Sequence, residues 1–479
     1  MTAVPSSPPS RLLSDSGSRP TAIILVLTLA LWFTVGVAAA LAAAILLTAL
    51  WLVSVNRLFS VEGYLCLVAI YYWLGIANPF RADVHQVTIS SATTHTLVLL
   101  VTVGVALLWL GSRIGMQSAA RSPSRTIHPS VLVQRLYRSA YVSMGLGASI
   151  AAICYLRFGV PALSSSPDMA RADFIAHLSP FTYYQWLLME VGIGLGVLAM
   201  AKDVDPTGTR RRRAMTIMCT AMVLVVGGVL SRVTIGTPLM LAAIVWWSQG
   251  RRIPWALVGI GGVTAVAVVG VVWILRVQVI GDITLYNVDF NFGGGLPAAV
   301  RAIAAAVTIF ARTSVEVFAM FVQGTLPKLH GEVALMSIIS LLPGHHPGLG
   351  LFHVSALLGY DADSGTTVSL FGGMYADFGT LGVVAISPFL GWLLGYLERR
   401  STVGNREFGL YYGIVLAYFI NMIYGGQLLD LTLLWKLWLA VIALRFVRTG
   451  SLWSTRAQVL QVLCTAMLYG YGLIKLLLA

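Results

Sequence analysis

Charged residues make up only 10% of this sequence, against roughly 25% in soluble globular domains. That shortage excludes an ordinary water-soluble domain. Cysteine is equally sparse. Cys66, Cys154, Cys219 and Cys464 each fall inside an apolar run, and no Cys-x-x-Cys spacing exists, so neither a disulfide framework nor a zinc site is indicated. The sequence has no Walker A pattern, which excludes P-loop ATP hydrolysis. It also has no His-Glu-x-x-His and no Gly-x-Ser-x-Gly, which argues against metalloprotease and serine-hydrolase chemistry.

What fills the chain is apolar: 58% hydrophobic residues and a mean hydropathy of +0.84. This is the composition of an all-α polytopic membrane protein. The net charge of +13 fits Lys/Arg enrichment of cytoplasmic loops better than binding of nucleic acid.

Residues 1–20 are rich in Ser and Pro and predict a disordered cytoplasmic tail. Residues 21–56 carry no charge and are too long for one crossing, so they predict two short helices turning near Gly36. Further spans are expected at about 61–77, 96–110, 139–156, 183–201, 214–231, 234–248, 253–275, 379–397, 408–426, 430–447 and 457–478. The total is about 13 transmembrane helices, within a range of 11–14. The chain thus divides into the tail, N-terminal transmembrane helices (21–275), one long loop (276–367) and C-terminal transmembrane helices (368–479). With a cytoplasmic N-terminus, 21 of the 31 Lys and Arg fall on the cytoplasmic side. The positive-inside rule therefore makes the long loop extracytoplasmic, in a multi-pass protein of the plasma membrane.

The outer face then holds ten basic residues, seven of them Arg, including Arg171, Arg232, Arg276, Arg301 and Arg312, and all histidines except His128. Arg grips phosphate through a planar fork, so this set suits a diphosphate anion; pairing with outer carboxylates or snorkelling to headgroups is the plainer reading of any single one. Residues 298–322 predict a helix on which Arg301, Arg312 and Glu316 share a face. The rest of its surface is apolar, which predicts an interfacial helix with its polar edge toward a site; an intrahelical Arg312–Glu316 pair is the alternative. Glu190, mid-span, is either functional or paired with a neighbouring helix, and Lys436 is expected to snorkel. Of two Asp-x-Asp triplets, Asp203-Val-Asp205 is expected to be solvated in an Arg-rich loop. Asp361-Ala-Asp363 lies in the outer loop.

Within that loop, Leu341-Leu-Pro-Gly-His-His-Pro-Gly is followed by Thr366-Thr-Val-Ser, Gly372, Tyr375-Ala-Asp377-Phe378-Gly379, Gly382, and then Gly391 and Gly395-Tyr396. This run resembles the Wzy-type O-antigen polymerases, which join oligosaccharide repeat units; the residue-level likeness covers about 325–400. Two positions depart from that pattern. A basic residue common after the Pro is here Gly344 with His345, and an acidic residue common after the first Gly is here Gly373.

The resemblance implies a metal-independent, cofactor-free glycosyltransferase. Its partners would be polyprenyl-diphosphate-linked oligosaccharide, membrane lipid, a flippase and a chain-length regulator. The five Arg named above would hold the diphosphate, and His345, His346, His353, Asp361, Asp363 and Glu316 are the candidates for the base. A glycan ligase using the same donor, and a transporter or flippase of lipid-linked glycans, are the alternatives. No internal repeat of the kind common in transporters is visible.

Overall fold

The computed structural model describes residues 48, 51–52, 54, 56–77, 89–120, 129–164, 170, 174, 180–203, 205, 208–228, 232–253, 296–334, 351–359, 367–403, 407–428, 430–451, 459–467 and 469. Among these the regular structure is entirely helical. In chain order the main helices are α1 (Val61–Ala77), α2 (Ser91–Ala120), α3 (Pro129–Phe158), α4 (Pro180–Lys202), α5 (Thr209–Gly227), α6 (Arg232–Ser248), α7 (Leu296–Gln323), α8 (Leu351–Leu357), α9 (Leu370–Thr402), α10 (Phe408–Gly425) and α11 (Leu431–Thr449). Among the described residues four stretches are long and apolar enough to cross a membrane: Ser91–Ala119, Leu132–Phe158, Leu370–Thr402 and Phe408–Gly425. Val61–Ala77 and Ile235–Ser248 are shorter apolar helices. The expected helices of 21–56, apart from isolated helical residues at its end, and the span at 253–275 lie outside the described residues, as does most of 457–478.

Lipid offers no hydrophobic drive for one helix to leave it for another, so association depends on close backbone approach. The sequence supplies this at Gly111-Ser-Arg-Ile-Gly115 on α2 and Gly391-Trp-Leu-Leu-Gly395 on α9. A Cβ on Gly111 would overlap the Pro388 carbonyl, and one on Gly115 the Trp392 carbonyl. Reciprocally, Gly391 abuts the carbonyl of Leu108 and Gly395 that of Ser112. The contact positions advance together along both chains, so α2 and α9 run parallel. Around this pair, α7 packs on α1 and α9, while α3 and α4 form a second close pair that meets α6 and α11.

One end of the bundle gathers the basic residues. Arg57 and Arg113 approach Glu62 at 3.8 and 3.6 Å, and the Val61 N–H donates to Glu398 Oε2 at 2.8 Å. Arg251 donates to the Ala201 carbonyl, Arg135 to the Val447 carbonyl, and Arg448 pairs with Glu407 at 2.7 Å. Tyr412 donates to the Phe59 carbonyl and Trp247 to that of Asn56, tying α10 and α6 to the start of α1.

Three expectations change here. Asp203 is not solvated: it is buried, accepts from the Tyr137 hydroxyl at 3.1 Å and sits 3.6 Å from Arg211 Nε. Lys436 does not snorkel; it is buried and paired with Glu190 across the α11–α4 contact. A charge at that depth is tolerated because its counter-charge is there too. Finally, the second half of α7 does not present an apolar surface outward. Thr308, Ser314, Val315, Glu316, Val317 and Phe318 are all buried inside protein, which an interfacial helix would not allow.

Candidate functional site

α9 begins in an unusual way. Ser369, the residue before its first turn, has φ 60°, a left-handed conformation that costs a non-glycine residue stability. Tyr72 of α1 holds it there. The Tyr72 hydroxyl donates to Ser369 Oγ at 3.0 Å and accepts from the Phe371 N–H at 2.7 Å, supplying one of the partners that a helix start lacks. The Tyr72 ring stacks on Phe371 with centroids 5.3 Å apart. From the other side, the Ser369 N–H donates to the Tyr424 carbonyl. A Cβ on Gly373 would overlap the Gly426 carbonyl. The departure noted at Gly373 thus has a steric reason, since no acidic side chain fits at this position.

Two turns later the helix breaks. Gly379 has φ 63° and ψ −152°, a combination open essentially to glycine alone. The bend folds the first segment so far back that a Cβ on Gly382 would overlap the Met374 carbonyl. The Gly379-x-x-Gly382 spacing is therefore the chemistry of a kink. At 1.5 Å per residue, an unbroken helix of this length would span about 50 Å, well beyond a bilayer core of about 30 Å.

The bent segment, Leu370 to Phe378, clamps the turn that follows α7. The Leu329 N–H donates to the Ala376 carbonyl at 2.8 Å. The two oxygens of Asp377 accept from the backbone N–H groups of Val333 at 3.1 Å and Ala334 at 2.6 Å. Asp377 is only 2% exposed, so it acts on the backbone of the turn and not on solvent. His330 (φ 49°) and Gly331 (φ 100°) make the reversal that brings those N–H groups round. Val317, Phe321, Leu329, Val333, Val354 and Val368 form a small apolar core beneath it.

The clamped turn carries Glu332, whose Oε2 lies 2.7 Å from Nδ1 of His353 on α8. Both side chains are about one-third exposed. A carboxylate on Nδ1 fixes the tautomer that leaves Nε2 as the acceptor. Lys328 reaches the kink itself: a Cβ on Gly379 would lie 3.0 Å from its Nζ.

Of the residues singled out from sequence, Arg312 and Glu316 are engaged with each other. Arg312 Nε donates to Glu316 Oε1 at 2.6 Å, and Arg312 Nη1 donates to the Gly75 carbonyl at 3.2 Å, in the last turn of α1. Both are buried. This geometry gives the pair a packing role between α7 and α1, supported by the Tyr71 hydroxyl, which is 2.5 Å from Ser314 Oγ. Among the described residues, His353 is the proposed base that sits at the clamped turn. Arg232 opens α6 and Arg301 lies in the first half of α7, with side chains outside the described residues. Arg171, Arg276, His345, His346, Asp361 and Asp363 lie outside them altogether. Sequence reasoning passed over Glu332, Lys328 and the structural task of Asp377, although Asp377 stood inside the quoted run.

The family model for the putative O-antigen polymerases matches residues 18–435, which takes in Tyr72, the α7 turn, the kink and most of the bundle. The chain belongs to the putative O-antigen polymerase family. It is accordingly a multi-pass membrane protein of polysaccharide biosynthesis. No curated protein sequence and no solved structure matches it. For this polymerase-family chain, the Tyr72–Ser369 contact, the Gly379 bend and the Asp377 clamp supply physical reasons for the Ser, Asp and Gly positions of the run.

Proposed function

We propose that this chain joins polyprenyl-diphosphate-linked oligosaccharide repeat units into a cell-surface polysaccharide at the outer face of the plasma membrane. In the step, a sugar hydroxyl of one lipid-linked unit attacks the anomeric carbon of the chain on another. The carbon–oxygen bond to the diphosphate breaks, polyprenyl diphosphate leaves, and the hydroxyl proton passes to His353 Nε2. Glu332 positions the imidazole and stabilises the imidazolium. Arg171, Arg232, Arg276 and Arg301 are proposed to meet the charge that grows on the departing diphosphate; no metal ion takes part. Arg312 and Glu316, expected from sequence to bind diphosphate and to act as base, are assigned instead to packing.

The observation that carries this reading is the Glu332–His353 pair, about one-third exposed and fixed by the buried Asp377 clamp. The parallel α2–α9 pair supports the sidedness. It puts the start of α9 and the start of α2 at the end opposite the arginine-rich one, which the positive-inside rule assigns to the cytoplasm.

The test compares surface glycan from cells carrying wild type, His353→Ala and Glu332→Gln at matched protein amount. A general base is worth about 10²–10⁴-fold. His353→Ala is therefore expected to remove long chains and leave single repeat units, with Glu332→Gln intermediate. Wild-type ladders from His353→Ala would refute this assignment. A ladder built at normal length but not transferred to its final carrier would point to the ligase reading instead.

A further inference from the structure

The first turns of α5 face a second, separate piece of chemistry. Arg210, Arg211, Arg212 and Arg213 follow one another at the start of a helix that is apolar from Ala214 onward, so the charges sit where a polar surface gives way to hydrocarbon. The four are not equivalent. Arg211 turns back to Asp203 and Asp205, at 3.6 and 3.7 Å, and its guanidinium lies over the Tyr137 ring. Arg212 is pinned by the carbonyls of Asp203 and Asp205 at 3.0 and 2.9 Å, and it also donates to Thr209 Oγ1. Among the described residues no carboxylate pairs with Arg213, which is exposed.

Arg212 and Arg213 line an open groove of about 390 Å³ with Thr209, Thr216 and Ile217. Two carboxylates set against four guanidinium groups leave this corner cationic. The groove continues into apolar surface: Ile217 is 70% and Leu224 72% exposed, two turns apart on the outer side of the same helix. A cationic, hydroxyl-lined cup that opens onto an apolar stripe matches one kind of molecule. We propose that it binds an anionic phospholipid of the surrounding leaflet, with the phosphodiester held by Arg213 and the fixed Arg212 and one acyl chain lying along Ile217 and Leu224. This site is independent of the polymerase reaction, and Asp203 belongs to it as the residue that sets Arg212 in place.

The experiment uses the full chain, purified in mild detergent and titrated with phosphatidylglycerol, phosphatidylcholine or glycerophosphoglycerol (the same headgroup without chains), with bound lipid read by native mass spectrometry. Wild type is expected to retain phosphatidylglycerol at least tenfold better than phosphatidylcholine. Arg213→Gln should lose that preference, and Arg213→Lys should keep part of it. Arg210→Gln, outside the groove, should leave it unchanged. Arg213 is exposed, so its substitution spares the fold, and a monodisperse elution profile checks this. Equal retention of the two lipids by wild type would overturn the proposal, as would an unchanged preference in Arg213→Gln. Binding of the chain-free headgroup as tight as that of the intact lipid would also overturn it, since it would show a phosphate site and not a lipid site.

Discussion

At the scale of residues, the buried Arg312–Glu316 pair makes a prediction opposite to that of a catalytic arginine. Removing one partner of a buried ion pair leaves an uncompensated charge, at a cost of about 3–5 kcal/mol. Arg312→Ala is expected to lower the amount of folded protein, measured as the monodisperse fraction after detergent extraction. The double variant Arg312→Met, Glu316→Leu should recover much of it. A fully folded Arg312→Ala that makes no polymer would return Arg312 to the reacting site. Glu190 and Lys436 follow the same rule, and Lys436→Ala should be rescued in part by Glu190→Gln. For Glu190 the sequence left a partner on a neighbouring helix as one of two readings, and it did not identify Lys436 as that partner. Residues 190 and 436 are brought together by tertiary packing alone, whereas the i, i+4 spacing of Arg312 and Glu316 made their pairing visible from the start.

Among the elements, α9 explains most. Its kink needs Gly379 in a conformation that costs other residues on the order of 1–3 kcal/mol, and Gly382 must let the chain fold back on Met374. Gly382→Val is expected to destabilise the protein more than Gly379→Ala, since its Cβ would overlap the Met374 carbonyl, which only a shift of the backbone can relieve. Thermal melting in detergent would rank them; equal melting points would mean the helix runs straight. Helix positions were legible wherever an apolar run ends in turn residues: α1 matches its expected 61–77 to the residue. The spans expected at 96–110 and 139–156 fell short, because α2 and α3 extend at their ends through Ser, Thr, Gly and Arg. An apolar run marks what lipid touches, not where a helix ends. For α7 the error was of a different kind, since an apolar face suited to a membrane surface is equally suited to a protein interior.

At the scale of the whole molecule, the gathering of Arg57, Arg113, Arg135, Arg251 and Arg448 at one end agrees with the charge bias along the chain. The other end carries the strained start of α9, the Asp377 clamp and the Glu332–His353 pair. The sequence run shared with the family made this region visible as a unit. It did not disclose the division of labour within it, because Asp377 on backbone N–H groups and Glu332 beside a histidine are both simply acidic residues until their surroundings are known. The central claim is that this end joins lipid-linked repeat units. Its most direct test is to incubate the purified chain in proteoliposomes with one defined polyprenyl-diphosphate repeat unit and resolve the products by gel. The expected result is a ladder of one-repeat steps with release of polyprenyl diphosphate, absent with His353→Ala. Recovery of the starting unit unchanged by folded wild-type protein would contradict it.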